Sequence, residues 1–592
     1  MNRWPLFLAT LVAGLLLGWW TIQTPTPVDA SAPADQFSAG RAMADVRVLA
    51  REPHPTGSPA NLAAIAEMER RLAGLGFTTR RVVTPLAEKP AQRLAKWGGN
   101  PNAPAISLVA VRAGKDSAAP AVALLAHHDS VWASPGAADD IAGVAAALEV
   151  ARAIPQATQA RDLVLLFTDA EELGLVGARA IFAPGAAADP IAERIGVTIN
   201  LEARGGGGRA MMFQTGPKNG DLVRRLAAAA PGASASSLAV TLYESLPNDT
   251  DFTPVKLRGQ AGLNFAFIGD AWGYHSPLMT PDRLDQGALQ HLGDSALAIT
   301  RDLVTAAELP ARSENAVFAS APLIGIIAYS PATGWGLLAG IAGLLLLAGY
   351  WRRAEWTLGG MLMALGQAVL ALIIAGLLMF GLNLLSGSVG AEYYDRLAAL
   401  PRLEVVAALA ALAVLMFLAA APAGSLWDRW LTWAALCFAG ALVAQIVLPG
   451  AGPVLAWPAL LAAIAAALGA RPGATGMAQV APAALLAIPG LALGAELFHF
   501  AFLGIGAPLP YATVPLLIPV LKRMLGQKVR LVDSASTCAA HVKASLEQGG
   551  LLRTTKSKPT LDIYLTDHSE QAENLAKRFL GTDFGKVKKA VV

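Results

Sequence analysis

His127, Asp129, Asp139, Glu171, Glu172, Glu202 and His275 have the types and spacing that metal chemistry needs. His127 and Asp129 follow an apolar run, in Ala126-His127-His128-Asp129-Ser130. Two apart at a strand end, their side chains leave on the same side. A carboxylate so placed can accept the second ring N–H of a metal-bound imidazole and fix its tautomer. His128 points the opposite way and is not expected to bind metal. Asp139, in Gly136-Ala137-Ala138-Asp139-Asp140, opens a helix, where a carboxylate can sit between two cations. Glu171 and Glu172, in Asp169-Ala170-Glu171-Glu172-Leu173-Gly174, diverge where a strand runs into a loop. One can bind metal while the other faces the metal-activated water, the division of labour of a hydrolase. Glu202 closes a third apolar run, and His275 follows a fourth. Two imidazoles and three carboxylates make an N/O donor set suited to zinc, with two ions bridged by one carboxylate.

Each residue alone has a blander reading. A strand-end histidine is usually a hydrogen-bonded core or surface group, Glu-Glu pairs are usually solvated, and Asp139-Asp140 could simply cap a helix. Their joint occurrence at successive strand ends is what points to a metal centre. His54, in the turn-rich Glu52-Pro53-His54-Pro55-Thr56-Gly57-Ser58, is expected to be structural.

The elements that must position these residues are short buried strands over Pro120–Ala126, Asp162–Thr168, Val197–Leu201 and Gly262–Ile268. Helical stretches such as Asn61–Leu75 and Ile141–Ile154 lie among them. That alternation predicts an α/β domain with a mostly parallel mixed sheet flanked by helices. The 592 residues exceed one core, and 54 % hydrophobic with 15 % charged residues and a mean hydropathy of +0.47 exceed soluble norms. The excess belongs in a membrane. Long apolar runs cover Gly334–Tyr350, Leu358–Leu385, Val405–Ala421, Leu431–Leu448, Val454–Leu468 and Val480–Leu493, with an ambiguous stretch at Leu497–Leu521. Trp4–Ile22, preceded by Arg3, reads as a signal-anchor; a cleaved signal peptide ending near Ala30-Ser31-Ala32 is the competing reading.

The expected layout is therefore a signal-anchor over 1–29, an α/β domain with the candidate metal site over 30–312, a multi-span all-α membrane domain over 313–521 and a soluble tail over 522–592. Arg352, Arg353 and Arg471 fall on one side of the bundle, which places the α/β domain outside the cytoplasm of an integral membrane protein, in a bacterial inner membrane. No span carries an evident set of paired charges, and Glu496 and His499 are read as interfacial. The net charge of +3 has no basic stripe, which argues against nucleic acid as a partner. Two cysteines supply neither a disulfide framework nor a thiolate metal site.

At these residues the chain resembles the twenty-eighth family of metallopeptidases, the di-zinc aminopeptidases, and within it the membrane-bound, endoplasmic reticulum metallopeptidase-like branch. The resemblance covers roughly residues 36–303. It runs through Pro53-His54-Pro55-Thr56-Gly57-Ser58, the three acidic and histidine clusters above, Asn200-Leu201-Glu202-Ala203, Asn248-Asp249-Thr250-Asp251-Phe252 and Tyr274-His275. It implies two Zn2+ ions, with His127 and Glu202 on one, Glu172 and His275 on the other and Asp139 bridging them. It further implies that Asp129 orients His127 and that Glu171 is the general base. The implied activity is hydrolysis of the N-terminal residue of a peptide substrate outside the cytoplasm, with membrane lipid as the surrounding partner. Glu202 stands where many soluble members have Asp, and Ala178 replaces a frequent Ser.

The alternatives are a glutaminyl cyclase-like enzyme with one zinc, or a non-catalytic peptide-binding membrane protein. From about Pro515 the tail resembles the C-terminal end of a glutamate racemase, but Ala512-Thr513-Val514 stands where that family has Cys-Thr-His. Racemase activity is excluded on that ground, and the tail is read as a fusion remnant or gene-assembly artefact.

Overall fold

The computed structural model describes residues 4–185, 188–244, 246, 248–385, 393–420 and 423–505, and the short strands Ile563–Leu565 and Val587–Lys589. The racemase-like reading of the tail otherwise lies outside the described residues.

An eight-stranded mixed sheet organises the first half of the chain. Its strands are β1 (Thr78–Thr84), β2 (Ala105–Arg112), β3 (Ala121–His127), β4 (Leu163–Thr168), β5 (Ile195–Ala203), β6 (Met211–Thr215), β7 (Ser234–Ala235) and β8 (Ala261–Phe267). They lie in the order β1-β2-β4-β3-β5-β8-β6-β7. The four central strands, β4, β3, β5 and β8, run parallel. β3, β4 and β8 are buried along their whole length, and their near-continuous apolar sequences are those of strands covered on both faces. One face packs on the helices Ala39–Leu49, Pro59–Gly74, Ile141–Ala153 and Gln286–Thr305, and the other on Ile181, Phe182, Ile191, Phe252 and Val255. Ile141–Ala153 is so alanine-rich that it can lie close against the sheet; all its residues but Arg152 are buried.

β3 is the first strand of the parallel group, and its neighbours β4 and β5 lie on opposite sides. Loops leaving the carboxyl ends of β3 and β4 or β5 therefore diverge, opening a crevice of the kind that holds ligands in open α/β sheets. His127 ends β3, Glu171 and Glu172 follow β4, Glu202 is the penultimate residue of β5, and His275 follows β8. The four strands expected from sequence are thus present, within one or two residues at most ends. The polar edge strand β1 and the short β6 and β7 carry little periodic apolar signal. Past Arg312 a hairpin, Val317–Ala321 with Gly325–Tyr329, extends the main core through Phe318 and Ile326.

Among the described residues, seven helices are long and apolar enough to cross a membrane: Trp4–Ile22, Pro331–Trp351, Leu358–Leu385, Tyr393–Ala420, Leu426–Val447, Gly452–Ala470 and Met477–Ile505. Two sequence expectations change here. Leu497 to Ile505 continues the run that begins at Val480 as one helix rather than starting a further span; residues 506–521 lie outside the described residues. No evident pair was expected within the bundle, but His499 Nδ1 lies 2.7 Å from Glu404 Oε1 on the helix Tyr393–Ala420, a hydrogen-bonded pair between two helices. Glu496 is buried.

Successive helices approach the α/β domain with alternating ends. Gln23 O, just past the first helix, accepts a hydrogen bond from Arg209 Nη1, and Gly450 O, between the fifth and sixth, accepts one from the Ser237 hydroxyl. At the far end Arg352 donates to the carbonyls of Gly469, Ala470 and Ala474, satisfying orphan acceptors at a helix C-terminus.

Candidate metal centre

Asp139 stands between the two imidazoles. Its Oδ1 is 3.1 Å from His127 Nε2 and its Oδ2 is 3.0 Å from His275 Nε2. His275 Nε2 is also 2.9 Å from Glu172 Oε1, and His127 Nε2 is 3.9 Å from Glu202 Oε2. The donor atoms of Asp139, Glu172 and His275 lie within 4.8 Å of one another, as do those of His127, Asp140 and Glu202. Four strands and the start of the helix Ile141–Ala153 thus bring together all five ligand candidates read from the sequence. His275 has a left-handed backbone, with φ of 56°, uncommon for a residue with a Cβ.

Asp129 differs in detail from the expectation. The nearest acceptor to His127 Nδ1 is the Asp129 main-chain carbonyl, at 3.0 Å, and the carboxylate is 3.6 Å away. The carboxylate instead accepts the backbone N–H groups of Glu171 and Glu172, at 3.0 and 3.2 Å. One residue therefore holds the imidazole through its backbone and the Glu171-Glu172 turn through its side chain.

Asp140 is the residue whose part sequence reasoning underrated. A cis peptide bond joins it to Asp139. It caps the helix by accepting from Gly143 N, and its Oδ2 accepts from His127 N at 3.2 Å. The Asp-Asp pair at a helix start was the available signal, and capping alone accounted for it. Asp251, in the quoted Asn248–Phe252 segment, is fully buried and accepts the Thr168 hydroxyl beside His127. His54 is structural: its N–H donates to Ser130 Oγ, and neighbouring Thr56 donates to Asp169 Oδ1, tying the loop to the ends of β3 and β4. His128, also buried, contacts Asn61 and the Ile106 carbonyl and no carboxylate of the cluster.

Carboxylates and imidazoles crowd together in this cluster. Burial alone would raise the Asp139 carboxyl, but hydrogen bonds with both imidazoles hold it well below the usual carboxylate range. Burial pushes Glu171 and Glu202 well above that range, and burial with the nearby Asp139 charge lifts Glu172 to about 7. His275 rises to about 10: burial opposes its charge, but Asp139 and Glu172 outweigh it. If Nδ1–H of His127 donates to the Asp129 carbonyl, Nε2 presents a lone pair to a carboxylate unless a proton or metal lies between them. Glu202 Oε1 is buried with no hydrogen-bond partner. A buried oxygen without a donor and imidazoles facing carboxylates fit a metal-binding donor set.

Residues 107–300 match the model of peptidase family M28. The chain is 36 % identical over 229 residues to endoplasmic reticulum metallopeptidase 1 of Homo sapiens, covering 37 % of this chain and 25 % of that protein. It is 29 % identical over 308 residues to the vacuolar membrane protease of Clavispora lusitaniae, covering 49 % and 29 %. The chain thus spans only about a quarter of the length of these curated relatives. Among solved structures, an aminopeptidase from Aneurinibacillus sp. strain AM-1 aligns over 50 % of this chain and 98 % of its own, at 15 % identity and a TM-score of 0.36. Porphyromonas gingivalis glutaminyl cyclase aligns over 45 % and 98 %, at 18 % identity and a TM-score of 0.35.

Proposed function

We propose, from the peptidase family M28 domain that the chain carries across residues 107–300, that this is a membrane-anchored, zinc-dependent aminopeptidase. The observation that carries the reading is Asp139, whose two oxygens each face a different imidazole while Glu202 attends one and Glu172 the other. Two ions sharing the Asp139 carboxylate would fit that layout. His127, Asp139 and Glu202 would hold the first, and Asp139, Glu172 and His275 the second. Bound zinc supplies Lewis acidity toward a water and a peptide carbonyl.

The chain's own groups do the rest. Glu171 faces the cavity beside the cluster and takes the proton of the attacking water. It then delivers that proton to the departing amine, so one carboxyl serves as base and then acid. Asp129, by holding both backbone N–H groups, fixes where Glu171 and Glu172 point. The choice of exopeptidase rests on the resemblance of these residues to the aminopeptidase pattern.

Arg352 reaches the carbonyls of Gly469, Ala470 and Ala474, at the end of the helix Gly452–Ala470 opposite to Gly450, which touches the α/β domain at Ser237. The tendency of basic residues to stay cytoplasmic then puts catalysis outside the cytoplasm.

Metal analysis of the purified full-length protein tests the reading. Two zinc ions per chain, with cleavage of free aminoacyl-peptides but not of N-acetylated ones, is the expected result. One zinc per chain with cyclisation of N-terminal glutamine would replace hydrolysis by cyclase chemistry, and metal without turnover would leave a binding role.

A further inference from the structure

The metal centre opens into a chamber that the α/β domain does not close by itself. Asp139, Glu171 and Glu202 line one end of a cavity of about 230 Å3, far more than the roughly 30 Å3 share of one water. Phe213, Leu242 and Tyr243 line it from the domain, and Leu493, Leu497 and Phe500 of the helix Met477–Ile505 line it from the bundle. The lining is mostly carbon. Glu496 is the charged group this helix turns to the chamber, where the Thr21 hydroxyl hydrogen-bonds to it and the Arg209 charge acts on it. The bundle also braces the loop that carries His275: Ala271 packs with Met379, Leu400 and Phe502, and Trp272 packs against the same cluster.

We propose that the last membrane helix is part of the substrate site, and that Leu493, Leu497 and Phe500 select peptides whose N-terminal residue is large and apolar. The occupant is argued from continuity: the carboxylates that would handle the scissile bond and the apolar wall belong to one cavity, so a side chain next to that bond has this chamber open to it. Burying a leucyl rather than an alanyl side chain there is worth roughly a tenfold preference or more. The proposal rests on the peptidase reading for the position of the scissile bond, and it makes the membrane domain a specificity-determining part of the enzyme.

The test uses the full-length protein in detergent, with Leu497→Trp to fill the chamber and Leu497→Ala as a variant that leaves it open. The expected result is that Leu497→Trp lowers the ratio of kcat/KM for leucyl- over alanyl-p-nitroanilide about tenfold, chiefly through KM for the leucyl substrate. Leu497→Ala should shift the preference the other way, raising kcat/KM for residues bulkier than leucine relative to leucyl. A second readout needs no turnover: on Glu171→Gln, a tripeptide with N-terminal p-benzoylphenylalanine should photolabel residues 490–505. An unchanged ratio in an active Leu497→Trp variant, with label confined to the domain, would overturn the proposal. So would a co-purifying lipid filling the chamber with no peptide label on the helix. Label on the helix in a protein that hydrolyses nothing would instead keep the pocket and discard the peptidase reading.

Discussion

Asp129 shows how much one buried carboxylate can organise. Both of its oxygens are committed to backbone N–H groups, so an amide in its place must turn its NH2 toward one of them. Asp129→Asn is therefore expected to lower kcat/KM about 10- to 100-fold, with the fold intact by circular dichroism. Unchanged kinetics would remove Asp129 from the positioning role. His291 offers a pH test away from the metal centre. Burial and the neighbouring Arg209 lower its pKa from 6.5 to about 4, and its Nε2 lies 2.8 Å from Arg209 Nη2. The unfolded chain takes up this proton first, so the stabilisation is fully present above about pH 6.5 and is lost as pH falls toward 4. The loss should approach about 3 kcal/mol, and thermal unfolding of His291→Gln should lack that part of the pH dependence. His127, Glu172 and Glu202 were legible in the sequence because each sits at or just past the end of an apolar run, Asp139 because it opens a helix, and His275 only in company with the others. Asp140 and the Asp129 contacts to Glu171 and Glu172 were not, since they depend on how two loops meet.

Among the elements, the helix Gln286–Thr305 carries a test of packing. A Cβ on its Gly293 would lie 2.1 to 2.3 Å from ring atoms of Phe37, itself 1 % exposed. Replacing a mid-helix glycine by alanine normally stabilises by about 1 kcal/mol. Here the ring must move within a packed core, which costs about 1–3 kcal/mol, so Gly293→Ala should lower the Tm. A raised Tm would show that the Phe37 pocket yields. β3 and β4 were readable from sequence as unbroken apolar runs, whereas β1, Thr-Thr-Arg-Arg-Val-Val-Thr, pairs at the sheet edge with mostly partly exposed or exposed side chains. Its place is decided by register against β2, which a single-strand pattern does not contain.

At the scale of the whole molecule, the bundle and the domain meet through the chamber, the His275 loop and the hydrogen bond from Ser237 to Gly450. The seven apolar helices were largely visible in composition, but the His499–Glu404 pair was not, because its partners are 95 residues apart in sequence and on different helices. The proposed orientation predicts that a cysteine at Pro472 is labelled only from the cytoplasmic side and one at Lys115 only from the other; labelling of both from one side would contradict it. The central claim is the di-zinc peptidase site, and the most direct measurement is hydrolysis of leucyl-p-nitroanilide by the purified full-length protein and its Glu171→Gln variant, with zinc counted in both. Zinc-dependent turnover that falls at least about a hundredfold in the variant, at equal zinc content, is the predicted result. Equal turnover in the two proteins, or a folded protein that holds no zinc, would contradict the account.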